Sequence, residues 1–125
     1  MTDKKLNIYV APMQGLTDAP FRHFHADVYG AADGYFTPFL RIDHGEVRRR
    51  DLRDISSPLN ANHRLVPQVI ARDRQEFERL VDAVTEAGHR EADLNLGCPF
   101  PLQTRRGRGA ALIANRAALA DIAAA

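Results

Sequence analysis

Four short apolar runs alternate with helix-forming segments, and this alternation constrains the fold more than any other feature of the chain. The runs cover residues 7–11, 34–37, 65–70 and 92–96. Between the first two, Phe21, Phe24, His25 and Val28 fall at i, i+3, i+4 and i+7, one face of a helix that Thr17 or Asp18 can cap and Gly30 can close. Asp73 with Glu76 three residues on predicts a capped helix start. Phe77, Leu80, Val81 and Val84 predict its buried stripe, and Gly88 its C-terminal stop. Residues 110–125 are alanine-rich and predict a closing helix, with Leu112, Ile113, Leu119 and Ile122 as the larger apolar side chains. Residues 41–64 are polar and contain Pro58, which predicts a long excursion with one helical turn. Strands alternating with helices argue for a parallel sheet. Four such units fit either an open doubly wound sheet or the first half of a closed barrel.

Composition narrows the class. The chain has 125 residues, 45% hydrophobic and 26% charged, with a formal net charge of +1. That balance predicts a soluble globular protein and excludes intrinsic disorder, which needs few apolar residues and a high net charge. No apolar run approaches the roughly 18 residues of a membrane span. Residues 1–7 lead into the first strand with no apolar signal segment. Cys98 is the only cysteine, so no intrachain disulfide and no multi-cysteine metal site is expected. The expected compartment is cytoplasmic. The length is about half of what an eight-stranded α/β barrel requires, so the chain reads as truncated.

Arginine supplies 15 of the 17 basic residues. Arg48, Arg49, Arg50 and Arg53 form one cluster, and Arg105, Arg106 and Arg108 another. Planar guanidinium forks suit phosphate oxygens, and a solvated surface is the plainer reading of such runs. Nucleotide fingerprints fail. Gly107-Arg108-Gly109 begins a dinucleotide-binding pattern, but Leu112 stands at its last glycine position, and no phosphate-loop motif occurs. His23 and His25, two apart on a helix, point to different sides and make no metal pair; His25 reads as a packing residue. Asp51 and Asp54 read as solvated surface.

Cys98 follows the fourth strand, where parallel α/β folds place their ligands, beyond the carboxyl ends of the strands. Pro12 and Met13 hold the corresponding place after the first strand, and Gln68 lies within the third. An amide, a thiol and a proline-methionine turn thus face one side. A buried core thiol is the competing reading of Cys98.

Three blocks carry a resemblance: Ala11-Pro12-Met13-Gln14-Gly15-Leu16-Thr17-Asp18, then Asp93-Leu94-Asn95-Leu96-Gly97-Cys98-Pro99, then Gly107-Arg108-Gly109-Ala110-Ala111-Leu112. In this order they resemble the tRNA-dihydrouridine synthase family, whose members carry FMN on a TIM (β/α)8 barrel followed by a helical domain. The resemblance runs from residue 8 to about residue 113. It implies that residues 1–125 are the N-terminal half of that barrel, about four βα units. The rest of the barrel and the helical tRNA-binding domain would be absent. It further implies that Ala11, Pro12 and Met13 lie against the flavin ring and that Gln68 bonds its polar edge. Asn95 would hold the substrate base or flavin edge, and Cys98 would be the general acid.

The implied reaction reduces uridine in tRNA to 5,6-dihydrouridine. NADPH reduces FMN, hydride reaches C6 of uracil, and an acid protonates C5. A thiol is mostly protonated at neutral pH, which suits that acid. tRNA is the implied partner, with Arg105, Arg106 and Arg108 as phosphate contacts; no metal and no membrane is expected. Two other readings stand beside it: an FMN-barrel reductase of a small molecule, and a non-catalytic half-barrel that self-associates through unpaired edges.

Overall fold

A computed structural model describes residues 5–125, and the sequence reading of residues 1–4 lies outside them. The first strand, β1 (Tyr9–Val10), leads into α1 (Ala19–Tyr29) and β2 (Gly34–Phe36). A hairpin of β3 (Ile42–Asp43) and β4 (Glu46–Val47) follows, then α2 (Arg49–Ile55) and a 3-10 turn at Pro58–Asn62. Next come β5 (Leu65–Val66), β6 (Gln68–Val69), α3 (Arg74–Glu86) and β7 (Asp93–Leu94). Three short helices close the chain: α4 (Pro101–Thr104), α5 (Ala110–Ala114) and α6 (Arg116–Ala123).

Apart from the antiparallel β3–β4 hairpin, the strands pair in parallel and in chain order. β1 pairs with β2, β2 with β5, and β6 with β7. Pro67 separates β5 from β6 because it has no N–H to give the ladder. Thr37 repairs the local loss, its hydroxyl accepting from the Gln68 backbone N–H at 3.0 Å. Beyond it, Leu40 bridges Val69 in parallel. No strand reverses the order, so these strands include no switch point of a doubly wound sheet. Leu40, Ile42, Ile55, Val69, Ala71, Leu80 and Val84 form the core beneath α2 and α3.

Local signals fixed several element ends. Asp18 caps α1 by accepting from the Phe21 N–H, and Asp73 caps α3 by accepting from the Glu76 N–H. Gly88, with φ of +91°, follows the last turn of α3. Residues 41–64 hold more structure than the expected single turn: a hairpin, a helix and a 3-10 turn. The expected closing helix breaks at Asn115, whose side chain caps α6 through the Ala118 N–H. The face of α1 bearing Phe21, Phe24 and Val28 is exposed, Phe24 at 61%. Its opposite face is buried instead, through Ala19, Arg22 and Ala26.

Arg22 explains that inversion. Its guanidinium donates to the Thr17 carbonyl at 2.7 Å, to Asp54 at 3.0 Å and to the Asn60 side-chain oxygen at 3.0 Å. Asp54 also accepts from the Ala19 N–H at 2.7 Å. Asp51 is equally committed, accepting a forked pair of bonds from Arg48. Neither aspartate is the solvated surface group that the sequence suggested. His25, as expected, serves packing, with its Nδ1 2.9 Å from the Tyr35 hydroxyl.

A second buried arginine pins the other end. Arg108 is 2% exposed and forks onto Glu76, Nη2 to Oε1 at 2.6 Å and Nε to Oε2 at 2.9 Å. Its Nη2 also reaches the Ile42 carbonyl at 3.0 Å. Removing Arg108 leaves Glu76 buried with only the longer ion pair to Arg72 Nε at 3.4 Å, and breaking such a buried pair costs about 3–5 kcal/mol. Arg108→Ala should therefore lose roughly that much in urea unfolding. The paired change Arg108→Met with Glu76→Leu should recover most of it. Equal losses in the single and paired variants would assign the effect to packing.

His63 makes stability depend on pH. Its ring lies 4.6 Å from that of Tyr35, and its Nε2 is buried without a partner among the described residues. Burial first, then the charge of Arg22, lowers its pKa to about 4 from the ordinary 6.5. Between those values the unfolded chain binds a proton that the folded chain refuses. Stability from this group is complete above about 6.5 and is lost as pH falls toward about 4. In His63→Phe, thermal unfolding across that window should vary less steeply with pH than in the wild type. An unchanged slope would exclude His63 as its source.

Candidate functional site

The carboxyl ends of the parallel strands converge on a hollow of about 190 Å³ lined by Pro12, Gln14, Pro38, Phe39, Gln68, Asn95 and Cys98. β1, β2 and β7 deliver their residues through the turns that end them, and Gln68 stands within β6. After β1 the chain folds back on itself: the Thr17 hydroxyl accepts from the Met13 N–H at 2.8 Å, and the Leu16 and Thr17 amides donate to the Met13 carbonyl. That turn exposes Met13 and sets Pro12 on the rim. Gln68 is buried at the start of β6, and the strand register sets it beside Asp93. Asp93 and Asn95 are two apart and share one face.

These polar groups form one chain of hydrogen bonds. Gln68 Nε2 donates to Asp93 Oδ2 at 2.7 Å, and Asn95 Nδ2 donates to Gln68 Oε1 at 2.9 Å. Asn95 Oδ1 accepts from the backbone N–H groups of Gly97 and Cys98, at 3.1 and 2.9 Å. Cys98 is a half-buried free thiol. The next loop seals against it. Gly109, with φ of +60°, packs so closely that an added Cβ would lie 2.6 Å from the Cys98 carbonyl oxygen. That oxygen accepts from the Ala110 N–H at 3.0 Å.

The structure brings together Pro12, Gln68, Asn95 and Cys98 on this hollow. Ala11 and Met13 flank it on the same turn, both exposed. Arg105 and Arg106 are exposed and have no acidic partner among the described residues. Arg108 parts company with them. Its Nε and Nη2 are taken by Glu76 and the Ile42 carbonyl and the residue is 2% exposed, so the expected RNA contact there is corrected to a structural pin. Sequence reasoning missed Asp93, Thr37, Pro38 and Phe39. The spacing of Asp93 and Asn95 on one strand was the signal available for the first. Among the described residues no helix is long and apolar enough to cross a membrane, and no cluster of metal-ligating side chains occurs.

Comparison with known proteins identifies a family. The sequence pattern of the family described as dihydrouridine synthase (Dus) matches residues 9–125. The chain is 27% identical over 116 residues to "Probable tRNA-dihydrouridine synthase 2" of Bacillus subtilis (strain 168), covering 90% of this chain and 35% of that protein. It is 28% identical over 114 residues to "tRNA-dihydrouridine(16) synthase" of Cupriavidus necator, covering 86% of this chain and 35% of that protein. It is 35% identical over 132 residues to the "tRNA-dihydrouridine(47) synthase (NAD(P)(+))" of Coprinopsis cinerea, covering 96% of this chain and 18% of that protein. The chain thus spans about a third of the length of the bacterial relatives.

The seal at Gly109 can be tested against a strained glycine that touches nothing. Gly15 also has positive φ, +80°, with no atom within 4 Å of an added Cβ. Gly15→Ala should cost about 1 kcal/mol through backbone strain alone. Gly109→Ala should cost about 2–3 kcal/mol, because the Cys98 backbone must also move. Urea unfolding of both variants measures the difference. Equal costs would mean that the Gly109 contact does not hold Cys98.

Proposed function

Because the chain belongs to the dihydrouridine synthase family, we propose that it supplies the N-terminal, flavin-facing part of an enzyme that reduces uridine to 5,6-dihydrouridine in tRNA. FMN would be the cofactor and NADPH the reductant. The observation that carries this reading is the convergence of Pro12, Gln68, Asn95 and Cys98 on one hollow at the carboxyl ends of successive parallel strands. On this reading residues 1–125 belong to the catalytic domain. The strand order without reversal supports the first four units of a closed (β/α)8 barrel. Alone, such a half would self-associate through its unpaired edges.

The hollow suits one edge of a flavin. Pro12, Pro38 and Phe39 offer apolar contact, and the Gln68 amide keeps one N–H and one lone pair beyond its bonds to Asp93 and Asn95. FMN, when bound, supplies the hydride for C6 of uracil. The chain's own residues do the rest. Pro12 and Met13 form a wall, with Ala11 behind them. Gln68 and Asn95 orient the polar edge. Cys98, on the rim, holds the proton that C5 must receive. The uridine must leave its stack to reach this depth, and Arg105 and Arg106, on the loop beyond Cys98, would hold the backbone phosphates beside it.

Cys98→Ala tests the chemistry in the protein that carries this chain. Reduction of bound flavin by NADPH should survive, since it needs no thiol. Oxygen-free reoxidation by unmodified tRNA should slow by about 10²–10⁴-fold, the usual worth of general acid catalysis. Reoxidation at the wild-type rate would remove Cys98 from the reaction.

Arg105→Ala with Arg106→Ala tests the RNA contact. Two lost phosphate contacts should make the salt dependence of tRNA binding shallower by about two units in the log–log slope. Arg108→Ala offers no such comparison, because it unpins the fold. An unchanged slope would leave Arg105 and Arg106 as plain surface.

A further inference from the structure

We propose that Asp93 is the positioning residue of this site: it fixes the polarity of the Gln68–Asn95 amide pair and, through Asn95, holds the backbone at Cys98. The inference rests on the reading of Cys98 as the acid for its functional meaning, but its physical content stands on the hydrogen bonds alone.

An amide side chain has two ends of similar shape and opposite polarity, one accepting and one donating. A site that presents two amides therefore needs something to decide which end faces which way. An ionised carboxylate can only accept. With Asp93 Oδ2 2.7 Å away, Gln68 must turn its NH2 toward the carboxylate. Its Oε1 then faces Asn95 Nδ2 at 2.9 Å. Asn95 must in turn present Oδ1 to the Gly97 and Cys98 N–H groups. Those backbone donors demand the same polarity from the far end, so the chain is consistent throughout and has one arrangement. Flipping either amide would set donor against donor at Asn95 or oxygen against oxygen at Asp93. The negative end also polarises the run, and each bond strengthens the next.

The strand geometry makes this possible. Gln68 is the register partner of Asp93, and Asn95 lies two residues further along the same face. No other side chain among the described residues bonds to the Gln68 amide group. Without Asp93, Gln68 keeps only its bond to Asn95 and can swing, so the partner that holds Asn95 on the turn is no longer itself held.

Cys98 is the only cysteine, so a thiol reagent reports on it alone. The experiment uses the whole chain without flavin or tRNA, in three variants. Asp93→Ala removes the acceptor, Gln68→Met cuts the relay at its middle, and Asp93→Asn can still turn a carbonyl to Gln68. Two quantities are read. One is amide hydrogen exchange at Gly97 and Cys98 against the helical amides of Leu80 and Val84. The other is the plateau rate of Cys98 alkylation by iodoacetamide at high pH.

Asp93→Ala and Gln68→Met should speed exchange at Gly97 and Cys98 by about fivefold to tenfold, the worth of one hydrogen bond, while Leu80 and Val84 keep their protection. The alkylation plateau should change by at least about threefold in both. Asp93→Asn should restore wild-type values in both measurements. Equal behaviour of Asp93→Ala and Asp93→Asn would overturn the proposal. So would an increase in exchange shared by Leu80 and Val84, or no change at Cys98. If Asp93→Ala does not fold, Asp93→Leu, which removes the acceptor and keeps the forked side-chain shape, is compared with Asp93→Asn and gives the same decision. Failure of the reductase reading would show as absent dihydrouridine formation and would leave this result standing.

Discussion

The Arg108–Glu76 ion pair is the contact on which the arrangement of the site depends. Two opposite charges, both nearly sealed from water, stay ionised through each other and through added polar contacts, among them Arg72 Nε at 3.4 Å from Glu76. Arg108 finds those at Glu76 and the Ile42 carbonyl, and Glu76 also accepts from the Arg72 N–H. The pair therefore joins three regions distant in sequence: the start of α3, the β3–β4 hairpin and the loop beyond Cys98. The loop cannot drift without stranding a charge, and Gly109 stays pressed on the Cys98 backbone. Arg22 does the same for the turn after β1, tying it to Asp54 and Asn60. A lysine in either place would offer a point charge without the fork, and could not serve a carboxylate and a carbonyl in fixed directions at once.

Much of the architecture was legible because it rests on local chemistry. Asp18, Asp73 and Gly88 mark helix ends through bonds and dihedrals set within a few residues. The parallel order of the strands followed from strand–helix alternation, and Pro12, Gln68, Asn95 and Cys98 do meet on one hollow. What stayed hidden depends on partners far away in sequence. Nothing near Arg108 distinguishes it from Arg105 and Arg106, yet Glu76, 32 residues away, takes it out of solvent. Periodicity placed Phe21, Phe24 and Val28 on one face of α1 but could not say which face meets the protein. Arg22 and two small alanines decided that, since alanine lets the helix approach closely and Arg22 needed Asp54.

The excursion at 41–64 failed as a reading for a related reason. Its polarity resembled a loop, but Asp51 and Asp54 are internal partners for Arg48 and Arg22. Asp54 read as surface because its counterion, Arg22, lies 32 residues away, whereas Arg48 stands only three residues from Asp51. These pairs are the means by which a short α2, with no side-chain cap of its own, is held.

The prolines complete the account of why the sheet opens where it does. Pro38 and Pro67 lie at the carboxyl ends of adjacent strands and withhold two N–H groups from the ladder. A sheet that simply lost those bonds would leave buried carbonyls and amides unpaired. Instead the Thr37 hydroxyl takes the Gln68 N–H, and the Pro67 carbonyl accepts from the Asp93 N–H at 2.9 Å. The backbone of Gln68 is thereby satisfied without spending its side chain. That freedom lets the amide turn to Asp93 and Asn95, and it makes a broken ladder into a polar site.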